Sequence, residues 1–148
     1  MVGVTELQTE QIRRECERVF LEIARLTDHG PHNAIAQFFT EDGEFDRDGT
    51  VLRGRTALLD LYAKRSASLL TRHLVSNVMV SPFSNVQATC HAYATIYRLR
   101  TADGSSPVPP VTCEGPESIA EYQDQMIKTD DGWKISRRIM KTVIQVHK

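Results

Sequence analysis

The chain has 148 residues, of which 41% are hydrophobic and 25% charged, a composition typical of a soluble globular protein. The formal net charge of -1 provides no general positive field that would attract nucleic acid or an anionic membrane. We therefore predict one domain over residues 1–148 with no nucleic-acid or membrane partner. The N-terminus lacks a basic region followed by an apolar run, so a cytoplasmic location is expected.

The three cysteines, Cys16, Cys90 and Cys113, are an odd number and lack the spacing of metal ligands. They predict ordinary reduced thiols rather than a disulfide framework or a zinc site. The sequence also lacks a His-x-His or His-Glu-x-x-His motif. We therefore expect no metal and no cofactor.

Residues 5–26 are predicted to form the first helix, because apolar side chains recur at helical spacing along them: Ile12, Cys16, Val19, Phe20, Ile23 and Leu26. Thr5 and Gln8 have the spacing of a capping box at its start. The stretch Asp28-His29-Gly30-Pro31 predicts the end of this helix. Pro31 suits the first turn of a second, short helix over residues 31–39.

A small hairpin is predicted next, with residues 44–46 and 50–52 flanking a glycine-containing turn at residues 47–49. A third helix is predicted over residues 55–70, with leucines on its apolar side.

The hydrophobic period then changes to two, which predicts four strands over residues 71–81, 86–100, 117–128 and 133–146. Short turns at residues 81–85 and 129–132 indicate antiparallel neighbours. The longer connection, residues 101–116, contains four prolines and predicts an exposed excursion or a flap.

Helices followed by antiparallel strands predict an α+β fold in which three helices cover one side of the sheet. Such a sheet twists, and if it is strongly curved, its concave face and the helices enclose a cone-shaped pocket. Gln123, Gln125 and Ile127 are expected to face away from the helices. A second copy of the chain is expected to cover that outer sheet face, giving a homodimer or a higher homo-oligomer.

Five short motifs in this order resemble the SnoaL-like group of the nuclear transport factor 2-like superfamily: Phe-Phe-Thr-Glu-Asp-Gly (38–43), Leu-Arg-Gly-Arg (52–55), Thr-Arg-His-Leu-Val-Ser-Asn (71–77), Tyr-x-Asp (122–124) and Asp-Gly-Trp-Lys-Ile (131–135). The group includes scytalone dehydratase, a bile-acid dehydratase, a hexachlorocyclohexane dehydrochlorinase and polyketide cyclases. The resemblance covers nearly the whole chain. It implies the α+β cone, oligomerisation through the outer sheet face, and a site inside the cone.

The resemblance also implies a catalytic pair. In the dehydratase-like members, an aspartate at the end of the first helix region pairs with a histidine at the start of the first long strand, and Asp28 and His73 occupy those positions. This chain differs from scytalone dehydratase at Thr27, where that enzyme has a tyrosine. Thr95 and Ile96 stand where its second histidine is expected. Only the acid-base pair is therefore carried over, and not the substrate.

Histidine suits proton transfer because its ordinary pKa, about 6.5, lies near working pH, and a carboxylate on one ring nitrogen makes it a better base. Other residues are predicted to contact the substrate. Asn77 shares the predicted face of His73, Tyr122 and Asp124 share a face of their strand, Tyr62 closes the pocket, and His91 takes part if its strand face points inward. Predicted wall residues are Phe20, Phe38, Phe45, Leu58, Leu61 and Val75.

These residues predict a small cofactor-independent lyase or isomerase that acts on an apolar ring-containing molecule. The alternatives are a ligand-binding module without chemistry and a structural partner that resembles the β subunit of a ring-hydroxylating dioxygenase. Each key residue also has a structural interpretation: His73 as a core histidine, Asp28 as a turn residue, Trp133 as core, and Arg137 and Arg138 as solvated or paired charges.

Overall fold

The computed structural model describes residues 3–147, so Met1, Val2 and Lys148 of the predicted domain lie outside the described residues. The architecture is α+β, as predicted, with a short 3₁₀ helix between the first α-helix and the first strand. The elements in chain order are α1 Glu6–His29, the 3₁₀ helix His32–Phe38, β1 Phe39–Arg47, β2 Thr50–Arg53, α2 Gly54–Ala63, β3 Leu69–Pro82, β4 Gln87–Arg100, β5 Ser118–Thr129 and β6 Gly132–Gln145.

Helix α1 buries the apolar stripe that the spacing predicts: Ile12, Cys16, Val19, Phe20, Ile23 and Leu26. The capping box between Thr5 and Gln8 is present in both directions. The helix continues three residues beyond its predicted end, and Gly30 stops it with a φ of 70°, a conformation that favours glycine. Asp28 consequently lies in the last turn of α1 rather than in a loop.

The second and third helices differ from the prediction. The second is a 3₁₀ helix that ends at Phe38, and Phe39 already belongs to β1, where it pairs with Ile135 of β6. Helix α2 ends at Ala63 instead of near residue 70. The Ser66 hydroxyl accepts a hydrogen bond from the backbone N–H of Ser68, a local bond of the kind that competes with helix formation.

The sheet has six strands in the order β2-β1-β6-β5-β4-β3. Strands β1 and β6 are parallel and all other neighbours are antiparallel, including the predicted hairpin of β1 and β2. The sheet is curved and mixed but not closed. The four long strands match their predicted bounds to within two residues.

The main core lies between α1 and the inner face of the sheet, and it includes Trp133 as predicted. Cys16 and Cys90 are buried in this core, and burial raises the pKa of both thiols to about 12, whereas Cys113 is exposed. Gln123 and Gln125 face outward, as expected. Within residues 3–147, no helix combines the length and the hydropathy needed to cross a membrane.

Candidate active site

A cavity of about 310 Å³ lies between the helices and the inner sheet face. Its apolar wall comes from α1, β1, α2, β3, β4 and β6: Phe20, Ile23, Ala24, Phe45, Leu61, Leu69, Val75, Ala94, Ile96 and Met140. Polar side chains reach it from α1, α2, β3, β4, β5 and β6. A cavity that combines apolar walls with convergent polar groups is the usual form of a small-molecule site.

Asp28 and His73 meet at this cavity, as the resemblance implies. Oδ1 of Asp28 lies 2.6 Å from Nδ1 of His73, and both side chains are more than nine-tenths buried. His73 lines the cavity, whereas Asp28 lies behind it. An ionised carboxylate can only accept hydrogen bonds, so the proton of this pair belongs on Nδ1, and Nε2 is left as the basic nitrogen.

The carboxylate of Asp28 is fully engaged. Its Oδ2 accepts the backbone N–H of His73 at 2.8 Å, and its Oδ1 also accepts the hydroxyl of Thr71 at 2.9 Å. Burial alone would raise the pKa of Asp28, but the hydrogen bonds from His73 and Thr71 outweigh it and hold that pKa below its ordinary value. Asp28 is therefore charged at neutral pH and fixes the orientation of the imidazole.

A further contact supports this pair from the side. Nη2 of Arg65 donates to Oγ1 of Thr71 at 2.8 Å, so Thr71 relays a hydrogen bond from a cation to the Asp28 carboxylate. Thr71 is fully buried. The burial of Arg65 itself is the main reason that the pKa of Arg65 lies below its ordinary value. The chain Arg65, Thr71, Asp28 and His73 thus forms one connected polar network.

A buried ion pair lies on the other side of the cavity. Arg138 on β6 donates two hydrogen bonds to Asp124 on β5, at 2.8 and 2.7 Å, and both residues are buried. Burial opposes the charge of Arg138, but the neighbouring carboxylate raises its pKa overall. The guanidinium carbon lies 4.9 Å from the ring centroid of Phe20 and 5.0 Å from that of Tyr122.

Two tyrosines, Tyr62 on α2 and Tyr122 on β5, complete the polar lining. Burial raises the pKa of both, to about 12 in Tyr122, so their hydroxyls keep their protons at neutral pH. Each can therefore donate a hydrogen bond to an oxygen of a bound molecule.

The structure brings together Asp28 and His73, and it places Tyr62, Tyr122, Phe45 and Val75 in the lining of the same cavity. Four other predicted site residues lie elsewhere.

Asn77 does not share the face of His73, because β3 contains a register shift between Ser76 and Met79. Asn77 lies within this bulge with a φ of 54°, and its side chain is exposed. Phe38, at the end of the 3₁₀ helix, packs against the main core and lies outside the cavity lining. The prediction that Asn77 and Phe38 contact the substrate is therefore corrected.

His91 and Asp124 also require correction. His91 pairs with Met79 and Gln123 on the outer face of the sheet and is exposed, since the alternation along β4 turns Cys90 and Ala92 inward. Asp124 faces inward but is fully buried in the ion pair with Arg138, and its side chain is not part of the cavity lining.

Sequence reasoning missed three functional candidates: Arg138, Arg65 and Thr71. Arg138 had been interpreted as a solvated or paired strand charge, and it is indeed paired, but it also lines the cavity. A usable signal was present. Asp124 and Arg138 are opposite charges on consecutive strands joined by a short turn, a pattern that allows them to pair directly across the ladder.

Within residues 3–147, no three side chains of His, Cys, Asp or Glu lie close enough together to hold a metal ion. The expectation that no metal or cofactor is used stays a prediction.

The SnoaL-like domain model matches residues 8–139. Among curated proteins, none matches the chain. Of the solved structures, Rv3472 of Mycobacterium tuberculosis, a protein of unknown function solved as a point variant, is 27% identical, with 93% of this chain and 78% of that chain covered and a TM-score of 0.72.

Two more distant structures share the fold. One is a Novosphingobium aromaticivorans protein provisionally named a scytalone dehydratase, which is 23% identical, with 91% and 87% of the chains covered and a TM-score of 0.73. The other is a hexachlorocyclohexane dehydrochlorinase of the LinA type 2 class, which is 15% identical, with 96% and 92% covered and a TM-score of 0.76. Because the domain model matches most of its length, the chain belongs to the SnoaL-like domain family, with a nuclear transport factor 2-like fold.

Proposed function

We propose that the protein is a cofactor-independent lyase or isomerase that acts on an apolar ring-containing small molecule. The observation that carries this proposal is the 2.6 Å contact between Asp28 and His73 at a cavity with an apolar wall. The family match and the fold shared with dehydratase and dehydrochlorinase structures agree with it. At about 310 Å³ the cavity lies at the lower end of ligand-site volumes, which suits a compact ring compound.

In this mechanism Nε2 of His73 removes a proton from a substrate carbon next to an electron-withdrawing group. The electron pair of that C–H bond forms a C=C bond as the leaving group departs. If the leaving group is a hydroxyl, it takes a proton from the imidazolium or a tyrosine and leaves as water. If no group leaves, return of the proton to another carbon gives an isomer.

Asp28 stabilises the imidazolium that forms after proton removal and keeps Nδ1 protonated before it. The positive charge of Arg138 and the hydroxyls of Tyr62 and Tyr122 are placed to stabilise negative charge on a substrate oxygen. Asp124 keeps Arg138 in place and charged.

Proton abstraction can be tested before the natural substrate is known. A panel of cyclic ketones is incubated with the protein in D₂O, and deuterium uptake at the α carbon is followed by NMR. We expect catalysed exchange with the wild-type protein and a loss of about 100-fold or more in His73→Ala, the range of a general base.

The matched control is His91→Ala, since His91 is exposed on the outer sheet face and should leave exchange unchanged. Circular dichroism checks that both variants fold. Undiminished exchange in folded His73→Ala would overturn the proposal. Saturable binding of a ketone by the wild-type protein without any exchange would favour a ligand-binding module instead.

A further part of the proposal concerns assembly: a second copy of the chain covers the outer sheet face. Exposed apolar side chains lie on this face, and they mark surfaces that other proteins cover: Leu74, Met79, Tyr93 and Ile144. We also propose that the protein is located in the cytoplasm.

A further inference from the structure

The lining of the cavity carries an unusual set of charges. Five basic side chains, in addition to the buried Arg138, contribute to the lining, and among the described residues that line the cavity none is acidic. We name these five side chains the cationic collar: Arg47, Lys64, Arg65, Arg98 and Arg100. The whole chain has a net charge of -1, so this concentration of positive charge is local.

Few of these charges are neutralised by the protein itself. In the described part of the chain, the only salt bridge of the collar joins Arg98 to Glu117, with Nε of Arg98 3.4 Å from a carboxylate oxygen. That Nε is buried and makes no hydrogen bond with acceptable geometry. The ion pair with Glu117 therefore leaves part of the hydrogen-bonding capacity of the Arg98 guanidinium unused.

The cations also lie close to one another. Arg98 and Arg100 stand opposite Thr71 and Leu69 in the ladder between β3 and β4, and Arg65 donates to Thr71. The nearby charges of Arg98 and Arg100 oppose the charge on Arg65. Three guanidinium groups around one point repel each other, and an anion bound among them relieves that repulsion.

The ladder also sets the spacing between the collar and the proposed base. Along the inner face, Leu69 pairs with Arg100, Thr71 with Arg98, His73 with Ile96 and Val75 with Ala94. The rung of His73 is two residues deeper than that of Arg98, or about 7 Å along the strands. Beyond the pair of His73 and Ile96, the paired residues of the inner face are apolar and suit an uncharged ring. The cations lie on the opposite side of that pair.

We propose that the ligand of this cavity is a carboxylic acid with an apolar ring body, and that Arg98 and Arg100 bind its carboxylate while the ring lies beside His73. This inference rests on the proposed function for its chemistry and defines the substrate class of that site. Arginine suits the role because its planar guanidinium donates paired hydrogen bonds to a carboxylate. A ligand without an acid group supplies no negative charge to balance the positive charges of the collar.

The test compares two probes of nearly equal shape, 2-naphthylacetate and 2-naphthylacetamide, by titration calorimetry at fixed ionic strength. We expect the acid to bind the wild-type protein about tenfold or more tightly than the amide, which corresponds to one charge-assisted interaction. In the double variant Arg98→Gln/Arg100→Gln, the two affinities should become equal within about twofold, while the affinity for the amide stays unchanged.

The matched control is the double variant Arg13→Gln/Arg14→Gln, which also removes two positive charges, from exposed positions on α1, and should keep the preference for the acid. A second variant guards against misfolding of the Arg98→Gln/Arg100→Gln variant. Glu117→Gln removes the carboxylate that competes for Arg98, so it should tighten binding of the acid several-fold without affecting the amide.

Equal affinity of the wild-type protein for acid and amide, or no binding of either, overturns this inference. Survival of the preference in a folded Arg98→Gln/Arg100→Gln variant also overturns it. The result is separable from that of the proposed function, because His73→Ala should keep the preference for the acid even though it loses proton exchange. Conversely, proton exchange at the α carbon of neutral ketones should persist even if the cationic collar does not bind carboxylates.

Discussion

Asp28 uses both of its carboxylate oxygens within the protein before any ligand binds. One oxygen accepts the backbone N–H of His73, and the other accepts the imidazole and the hydroxyl of Thr71. Since both the backbone and the ring of His73 are held, the imidazole has little freedom to rotate. In the proposed mechanism, this preorganisation holds the base in position before the substrate arrives, which avoids an ordering cost during the reaction.

The depressed pKa of Asp28 predicts how its contribution to stability depends on pH. Its pKa is lower in the folded protein than in the unfolded chain, so the ionised form stabilises the fold above the unfolded value, about 4. That contribution is lost as pH falls through the lower, folded value. We expect Asp28→Asn to cost about 1–3 kcal/mol of unfolding free energy at pH 7 and less at pH 3.

Urea denaturation at pH 3, 4, 5 and 7 measures this difference, with Asp130→Asn, in an exposed turn, as the control. A gap between wild type and Asp28→Asn that widens toward pH 3 would contradict the assigned role of the hydrogen bonds.

At the residue scale, the sequence allowed prediction of Asp28 and His73 only through their likeness to family positions. The two residues are 45 positions apart in the sequence, and only the fold brings them into contact. Hydrophobic periodicity predicts helices and strands but not contacts between distant segments. Arg138 was missed for a related reason. An arginine in a strand is usually solvated, and only the pairing of β5 with β6 places Asp124 beside it in the interior.

At the scale of elements, the bulge in β3 has the clearest consequence for the site. A strand alternates its side chains with a period of two, so a regular strand would keep Asn77 on the face of His73. The register shift between Ser76 and Met79 interrupts that alternation, and Val80 rather than Met79 then faces the core. The β3 residues of the candidate site, Thr71 and His73, thus lie on one side of the bulge, and the core residue Val80 lies on the other.

The conformation of Asn77 predicts its response to substitution. Its φ of 54° lies in the left-handed region, which asparagine and glycine tolerate and β-branched residues do not. We expect Asn77→Val to destabilise the protein by about 1–2 kcal/mol and Asn77→Gly to be nearly neutral.

Thermal and urea unfolding measure both effects. Ser76→Val is the matched control, because Ser76 is also exposed but precedes the bulge, and valine favours regular strands. An equal loss of stability in Ser76→Val and Asn77→Val would show that strand position, and not backbone conformation, determines the cost.

The strands were predicted to within two residues because alternation and turn residues are local signals, whereas the ends of the helices were not. Leu69 and Leu70 continue the helical spacing of α2, yet they belong to β3. The serines at 66 and 68 bond to each other and to nearby backbone, and this local geometry separates the helix from the strand.

At the scale of the whole molecule, the two faces of the sheet have different surroundings. The inner face packs against α1 and forms the cavity wall, whereas the outer face mixes exposed apolar residues with polar ones such as Gln123 and Gln125. The general α+β arrangement and this outer face were predictable from element order. The shape of the cavity was not, since it depends on sheet curvature and on which side chains converge.

The proposed dimer predicts a selective effect of charge on the outer face. Tyr93 lies in the outer face of β4 and Leu21 on the surface of α1, and both are 44% exposed. We expect sedimentation velocity to show a dimer for the wild-type protein, a monomer for Tyr93→Glu and a dimer for Leu21→Glu, because a buried unpaired carboxylate opposes association. A wild-type monomer at micromolar concentration would contradict the proposed assembly.

The loop of residues 101–116 leaves the sheet directly after Arg100 and returns at Glu117, the partner of Arg98. Both of its anchor points therefore lie beside the cationic collar, while Asp28 and His73 are fixed by α1 and β3. Under the proposed function, mutations that lengthen, shorten or recompose this loop can alter which molecules bind without disturbing the Asp28–His73 pair. The range of ligands and the proposed chemistry are then free to diverge independently during evolution, with the loop as the variable part and the pair as the constant one.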